Sequence, residues 1–224
     1  MRYVEKVRIL GVVGAGRKDG NTFKLVNEAL NGAKEIEDVE TKLIHLIDKK
    51  IEPCRGYGCD VCRLKKIPCI IKDDFEDVAK EMFQADGIII GTPVYMGTIA
   101  AHLKGFLERF RSHTILSLFF GEKQKLRNKV GGAIAVGIDH YGGQEYAIAD
   151  LHYFFLTHEM LVVSGKPPYG YFGGCAESLE IKEDGSFTSP PDGIKHDELG
   201  IKSCRFLGKR VAEVARMIKY ASKE

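Results

Sequence analysis

Two rhythms of apolar residues alternate along the first two thirds of the chain. Short apolar runs alternate with stretches whose apolar residues recur three or four positions apart. Residues 7–13 form the first run and end in glycines, the pattern of a strand buried on both faces. Residues 22–36 follow with helical spacing, and Val26, Ala29, Leu30 and Ala33 share one face. The same reading places strands at 39–47, 87–90, 130–136 and 161–163. It places helices on the stripes Phe75, Val78, Ala79, Met82 and Ile99, Leu103, Phe106, Leu107, Phe110. A further helix covers residues 144–158, apolar nearly all round, and Leu207, Val211, Val214 and Ile218 mark a closing one. Asp74 is the expected N-cap of the helix that starts at Phe75. Five strands alternating with helices predict an α/β fold: a doubly wound parallel sheet with helices on both faces, in one domain spanning 1–224.

Two segments break the rhythm. Residues 52–72 insert a cysteine-rich loop after the second strand. Residues 165–195 form a Pro- and Gly-rich excursion in which Glu183-Asp184-Gly185-Ser186 predicts a hairpin turn. Loops of that length are usually functional or make subunit contacts, with a plain surface loop as the alternative.

Charge and length narrow the classes. A net charge of +2 with no single-sign block predicts neither a nucleic-acid nor a membrane surface. The apolar runs at 7–13 and 115–120 are too short to span a bilayer, and no cleavage site follows the first, so a cytoplasmic location is expected.

In open parallel sheets, ligands sit beyond the carboxyl ends of the strands. Three such ends carry unusual loops. The first comprises Gly14, Ala15, Gly16, Arg17, Lys18, Asp19, Gly20, Asn21 and Thr22. Its glycines, its cations and the helix N-terminus that follows suit a phosphate. It lacks the Gly-Lys-Ser/Thr ending of a Walker loop, and Asp19 stands where a dinucleotide fingerprint has its third glycine. The second loop holds Pro93, Val94, Tyr95, Met96 and Gly97, which offer a flat ring an apolar wall and exposed amides. The third holds Gly137, Asp139, His140, Gly142, Gly143 and Gln144. Gln144 or Glu145 alternatively caps the next helix, and Tyr95 alternatively packs inward.

The order Arg17-x-x-Gly20-Asn21-Thr22, Gly91-Thr92-Pro93-Val94-Tyr95-Met96-Gly97, Leu103-Lys104-Gly105-Phe106 and Gly142-Gly143-Gln144-Glu145 resembles the NADPH-dependent FMN reductase superfamily over residues 7 to about 165. The cysteine insert makes the chain resemble its iron–sulfur flavoprotein branch. The resemblance implies a flavodoxin-like fold, an FMN with its phosphate in the first loop and its ring against the other two, and a homo-oligomer, dimer or tetramer, in which a neighbouring subunit completes the site. The family usually has Ser-Pro where this chain has Ala15-Gly16, so one hydroxyl contact to phosphate is missing.

The cysteines are spaced Cys54-x4-Cys59-x2-Cys62-x6-Cys69. Thiolates in one compact loop suit a 4Fe-4S cluster, with zinc or free thiols as the alternatives. The branch usually has two residues in the first interval, where this chain has four. Arg55, Arg63, Lys65 and Lys66 would offset a cluster's negative charge and dock an acidic electron donor. Cys204 falls on the closing helix's core stripe, and Cys175 has no evident partner. The expected activity is electron transfer between FMN and the cluster, exchanged with ferredoxin, NAD(P)H or a quinone. It needs no catalytic acid–base residue. A cluster-free NAD(P)H-dependent flavin or quinone reductase is the first alternative, and a flavin-binding regulatory protein the second.

Overall fold

The computed structural model describes residues 5–56, 59–67, 69–139 and 141–221, with the side chains of residues 59 and 60 left undescribed. His140, and the Tyr57-Gly58 pair in the long first cysteine interval, lie outside the described residues.

The chain runs β1 (Val7–Val13), α1 (Asn21–Ala33), β2 (Val39–His45), α2 (Cys59–Lys65), α3 (Phe75–Gln84), β3 (Gly87–Tyr95), β4 (Thr98–Ile99), α4 (Ala101–Glu108), α5 (Arg111–Phe120), β5 (Val130–Gly137), α6 (Gln144–Thr157), β6 (Leu161–Val162), β7 (Gly174–Glu177), β8 (Glu180–Ile181), β9 (Phe187–Thr188) and α7 (Glu198–Ala221). The main sheet has the order β2-β1-β3-β5-β6, and all of these strands are parallel. This is the flavodoxin-like order, whose switch point lies between β1 and β3.

The period of two along each strand builds two cores. Leu10, Val12, Ile88 and Ile90 face α3, α4 and α6, together with Phe75, Phe106 and Phe155. Val7, Ile9, Val13 and Ile89 face α1 and α7, together with Leu25, Val26, Leu207 and Val211. A strand covered on both sides has no polar face to show, which is why β3 and β5 begin as apolar runs and β1 is interrupted only by the exposed Arg8 near its start.

Four local expectations change. The fifth sheet position is split: β6 pairs with the start of β5, and β7, inside the excursion, pairs in parallel with its end. Ile99 belongs to β4, which turns back antiparallel on β3, and the expected helix is two, α4 and α5. Asp74 makes no side-chain cap. Asp73 Oδ1 accepts from the Phe75 amide at 3.1 Å instead, while Asp74 Oδ2 accepts from the Lys50 amide at 2.8 Å. Finally, α6 is not covered all round, because Tyr146, Tyr153 and Leu156 are exposed. The hairpin in the excursion forms as expected, with β8 and β9 joined through Lys182–Ser186 backbone pairing and Gly185 at φ 81°. Cys204 is fully buried in the α7 core, and burial also pushes the Cys175 thiol up to about 12. No helix among the described residues is long and apolar enough to cross a membrane.

Candidate functional site

The three strand ends meet at the switch point. The Gly14 amide donates to the Gly91 carbonyl at 2.8 Å, tying the first turn to the end of β3. Ala15, Gly16, Arg17, Gly20, Asn21 and Thr22 line a cavity of about 130 Å³ from one side. Pro93, Val94 and Tyr95 line it from the second loop, and Gly137 from the third. The amides that open α1 have no partners within the helix and point to this end, the arrangement that favours an anion.

Two histidines, one of them buried, hold the first turn in place. The Ile47 amide donates to His45 Nδ1 at 3.2 Å, so His45 carries its proton on Nε2 and donates it to the Arg17 carbonyl at 3.1 Å. His102, at the start of α4, bonds the Gly14 backbone; burial, with the neighbouring His45, holds its pKa below the ordinary value. Lys18 turns away to pair with Asp48 at 3.2 Å and does not line the cavity.

The second loop is a two-residue hairpin turn. Tyr95 pairs with Thr98, and both central residues have positive φ, 51° at Met96 and 80° at Gly97, as a type I′ turn requires. Tyr95 is half exposed and Met96 fully so, which excludes the inward-packed alternative for Tyr95. The third loop closes on this turn. Gly143 has φ 104°, and a Cβ there would lie 2.6 Å from Gly97 Cα. Only a glycine at 143 allows the loops to approach so closely, whereas an added Cβ on Gly97 would meet nothing within 4 Å. Gln144 is 3% exposed; its Nε2 donates to the Asp139 carbonyl at 2.6 Å, and it makes no helix cap. Among the described residues its Oε1 is a buried acceptor without a partner. A buried acceptor in that state wants a donor, and the N–H edge of a flavin ring supplies one. Met96, Gly97, Asp139, Gly142, Gly143 and Gln144 do not line this cavity.

Sequence reasoning missed the fourth wall, which the excursion builds. Ser178 and Ser189 line the cavity and bond each other at 2.6 Å, and the Ser178 hydroxyl donates to the Gly137 carbonyl at 3.0 Å. Arg17 Nη1 donates to the Ser189 carbonyl at 3.1 Å. Asn21 Nδ2 donates to the Pro190 carbonyl at 2.8 Å. The Arg17 and Asn21 side chains thus latch the excursion over the first turn.

The cysteine insert docks against α4, where a Cβ on Gly105 would meet Pro53 at 2.9 Å. Cys54, Cys62 and Cys69 line one cavity of about 200 Å³ with Val61, Ile71 and Ile115. The Cys59 side chain lies outside the described residues. Among the described residues no three metal-binding side chains converge closely enough to hold one ion. Three thiols facing a common, mostly apolar space fit a larger sulfur-ligated group better than a single ion. Cys54 and Gly56 also line a second cleft of about 570 Å³, whose far wall includes Ile99 of the hairpin that carries Tyr95 and Met96.

Arg109 holds both roots of the insert. It is 1% exposed, and each of its five N–H donors has an acceptor. Nη1 reaches the Glu52 carbonyl at 2.7 Å and Asp73 Oδ2 at 2.8 Å. Nη2 reaches Asp73 Oδ1 at 3.0 Å and the Ile71 carbonyl at 3.3 Å, and Nε donates to Cys69 Sγ at 3.2 Å. Its guanidinium also lies 4.6 Å from the centre of the Phe75 ring.

Residues 7–169 match the model of the NADPH-dependent FMN reductase family. An iron–sulfur flavoprotein of Methanocaldococcus jannaschii is 42% identical over 95% of this chain and 100% of its own length. An iron–sulfur flavoprotein of Methanosarcina thermophila is 36% identical over 95% of this chain and 97% of its own. Among solved structures, a WrbA-like flavodoxin from Agrobacterium tumefaciens superposes with a TM-score of 0.59 at 21% identity, over 95% of this chain and 99% of that one, which bears on the fold alone. With its match to the family model across most of the length and its near-complete overlap with these archaeal relatives, the chain belongs to the NADPH-dependent FMN reductase family of FMN-dependent oxidoreductases, in the iron–sulfur flavoprotein branch.

Proposed function

We propose that this FMN-dependent oxidoreductase relays electrons between FMN, seated across the three strand-end turns, and a 4Fe-4S cluster held by Cys54, Cys59, Cys62 and Cys69. The observation that carries the reading is the adjacency of two built sites: the cysteine loop and the ring-facing hairpin share the walls of one cleft through Cys54 and Ile99. When bound, FMN accepts electrons in pairs and releases them singly, and a cluster carries one at a time.

The chain's own residues bind and orient. Arg17 and the opening amides of α1 receive the phosphate, with Ala15, Gly16, Gly20, Asn21 and Thr22 shaping the turn. Lys18, held by Asp48, adds only long-range positive field. Pro93, Val94, Tyr95, Met96 and Gly97 face the ring. Gly137, Asp139, Gly142 and Gly143 bring backbone to its polar edge, and Gln144 Oε1 would accept a hydrogen bond from a ring N–H there. No side chain is required as a catalytic acid or base.

An acidic one-electron donor such as a ferredoxin suits the basic rim of the insert, where Arg63 stacks on Phe119 and Lys66 on Phe120 without losing charge. NAD(P)H and quinones are the small-molecule counterparts. A homo-oligomer, dimer or tetramer, would bury the exposed Tyr146, Tyr153 and Leu156 face of α6 beside the flavin hairpin. A cytoplasmic setting keeps such cysteines reduced and available as ligands.

Anaerobic purification tests the reading through its cofactor counts. One FMN with about four irons and four sulfides per chain is expected. Flavin absorbance without iron would leave the cluster-free reductase in its place. Replacing Arg17 with Ala should raise the Kd for FMN about tenfold, the loss of one charged phosphate contact of about 1.5 kcal/mol. Unchanged flavin retention would mean that the phosphate lies elsewhere.

A further inference from the structure

Arg109 stands at the C-terminal cap of α4, between α4 and α5, 40 positions from Cys69. Burying a guanidinium is costly unless every donor is satisfied. Four of its five donors go to Glu52, Ile71 and Asp73, groups whose place is set by the backbone at the two roots of the insert. Those contacts fix the plane of the guanidinium, because its fork is rigid. The fifth donor, Nε–H, is therefore aimed by the other four, and what it meets is the sulfur of Cys69.

We infer that Arg109 is a positioning and tuning residue for the second redox centre, holding the Cys69 sulfur with a charged N–H···S hydrogen bond that raises the reduction potential of the cluster. The inference rests on the proposed cluster at the four cysteines. A sulfur carrying negative charge accepts a charge-assisted bond more strongly than a neutral thiol does. Reduction adds negative charge to a cluster, so a buried cation bonded to one of its sulfurs favours the reduced form. An arginine that served only to anchor the loop would need its four oxygen acceptors and would gain nothing from the sulfur.

The test uses the anaerobically purified, flavin-loaded protein. Iron and sulfide are counted first; a protein without them overturns the cluster reading, and this inference with it. In an iron-loaded protein grown with guanidino-15N arginine, pulsed EPR of the dithionite-reduced state should show a 15N coupling to the cluster. Arg109→Lys keeps the charge and the pairing with Asp73 but cannot present the planar fork. It should lose the coupling and lower the cluster potential, while the flavin potential and the iron content stay as in the unmodified protein. Unchanged cluster potential in a loaded Arg109→Lys protein overturns the role. So does an unmodified protein with iron and no 15N coupling, and that measurement decides alone if the variant does not fold.

Discussion

Replacing Asp73 with Ala will cost about 3–5 kcal/mol of stability, the range found when one partner of a buried ion pair is removed. The side chains of Arg109 and Asp73 are 0% and 3% exposed, so the guanidinium left behind is shut away from water with both of its carboxylate bonds broken. The same carboxylate accepts the amides of Glu52 and Phe75, at 2.9 and 3.1 Å, so the variant also frees the root of the insert and the start of α3. Urea unfolding of the loaded protein at neutral pH should show the loss as a lower midpoint with little change in slope. The pH dependence has a definite sign. Burial alone would raise the Asp73 carboxyl; the bonds from Arg109, then from the two amides, outweigh it and hold its pKa below the ordinary carboxylate value. A depressed folded-state pKa contributes stability that is complete above the unfolded value of about 4 and disappears as pH falls through the folded value. The gap in stability between the unmodified protein and Asp73→Asn should therefore be widest at neutral pH and close below about pH 4. A gap that stays constant into acid would mean that Asp73 is not the charged partner.

Why Asp73 and Arg109 escape a reading of the sequence is a matter of range. Strands and helices declare themselves through neighbours two, three or four positions away, and the apolar runs of β1, β3 and β5 are unmistakable because both of their faces are buried. The three turns are legible for a related reason, since each follows such a run at the end where ligands bind in parallel sheets. Arg109 and Asp73 meet across 36 positions, and nothing local distinguishes that arginine from a solvated one. The choice between Asp73 and Asp74 as the cap shows the same limit, because both suit the position and Asp74 is drawn off by Lys50. β7 has four residues and no apolar run, and it is a strand only because the end of β5 offers it a partner. Ser178 and Ser189 reach the cavity by the same long return of the excursion. Gln144 was in view as a ring contact or a cap, but its orphaned acceptor appears only when its burial is known.

The contact between the second and third turns carries the other large effect, seen in binding. Gly143→Val forces a β-branched residue to φ 104° and sets its Cβ within 2.6 to 2.9 Å of the Gly97 backbone. Neither group is the movable end of a flexible side chain, so one turn must leave its place. The turns that face the ring would then separate, and the Kd for FMN in reconstitution titrations should rise at least tenfold, or about 1.4 kcal/mol. Strain alone does not predict this. Gly185 has a comparable φ of 81° in the β8–β9 hairpin, where an added Cβ meets nothing within 4 Å. Gly185→Val should therefore lower stability by about 1–3 kcal/mol through backbone strain while leaving the FMN affinity as it was. The pair separates the two causes. If both variants weaken FMN equally, general destabilisation is responsible; if only Gly143→Val does, the close approach of the two turns is what shapes the flavin site.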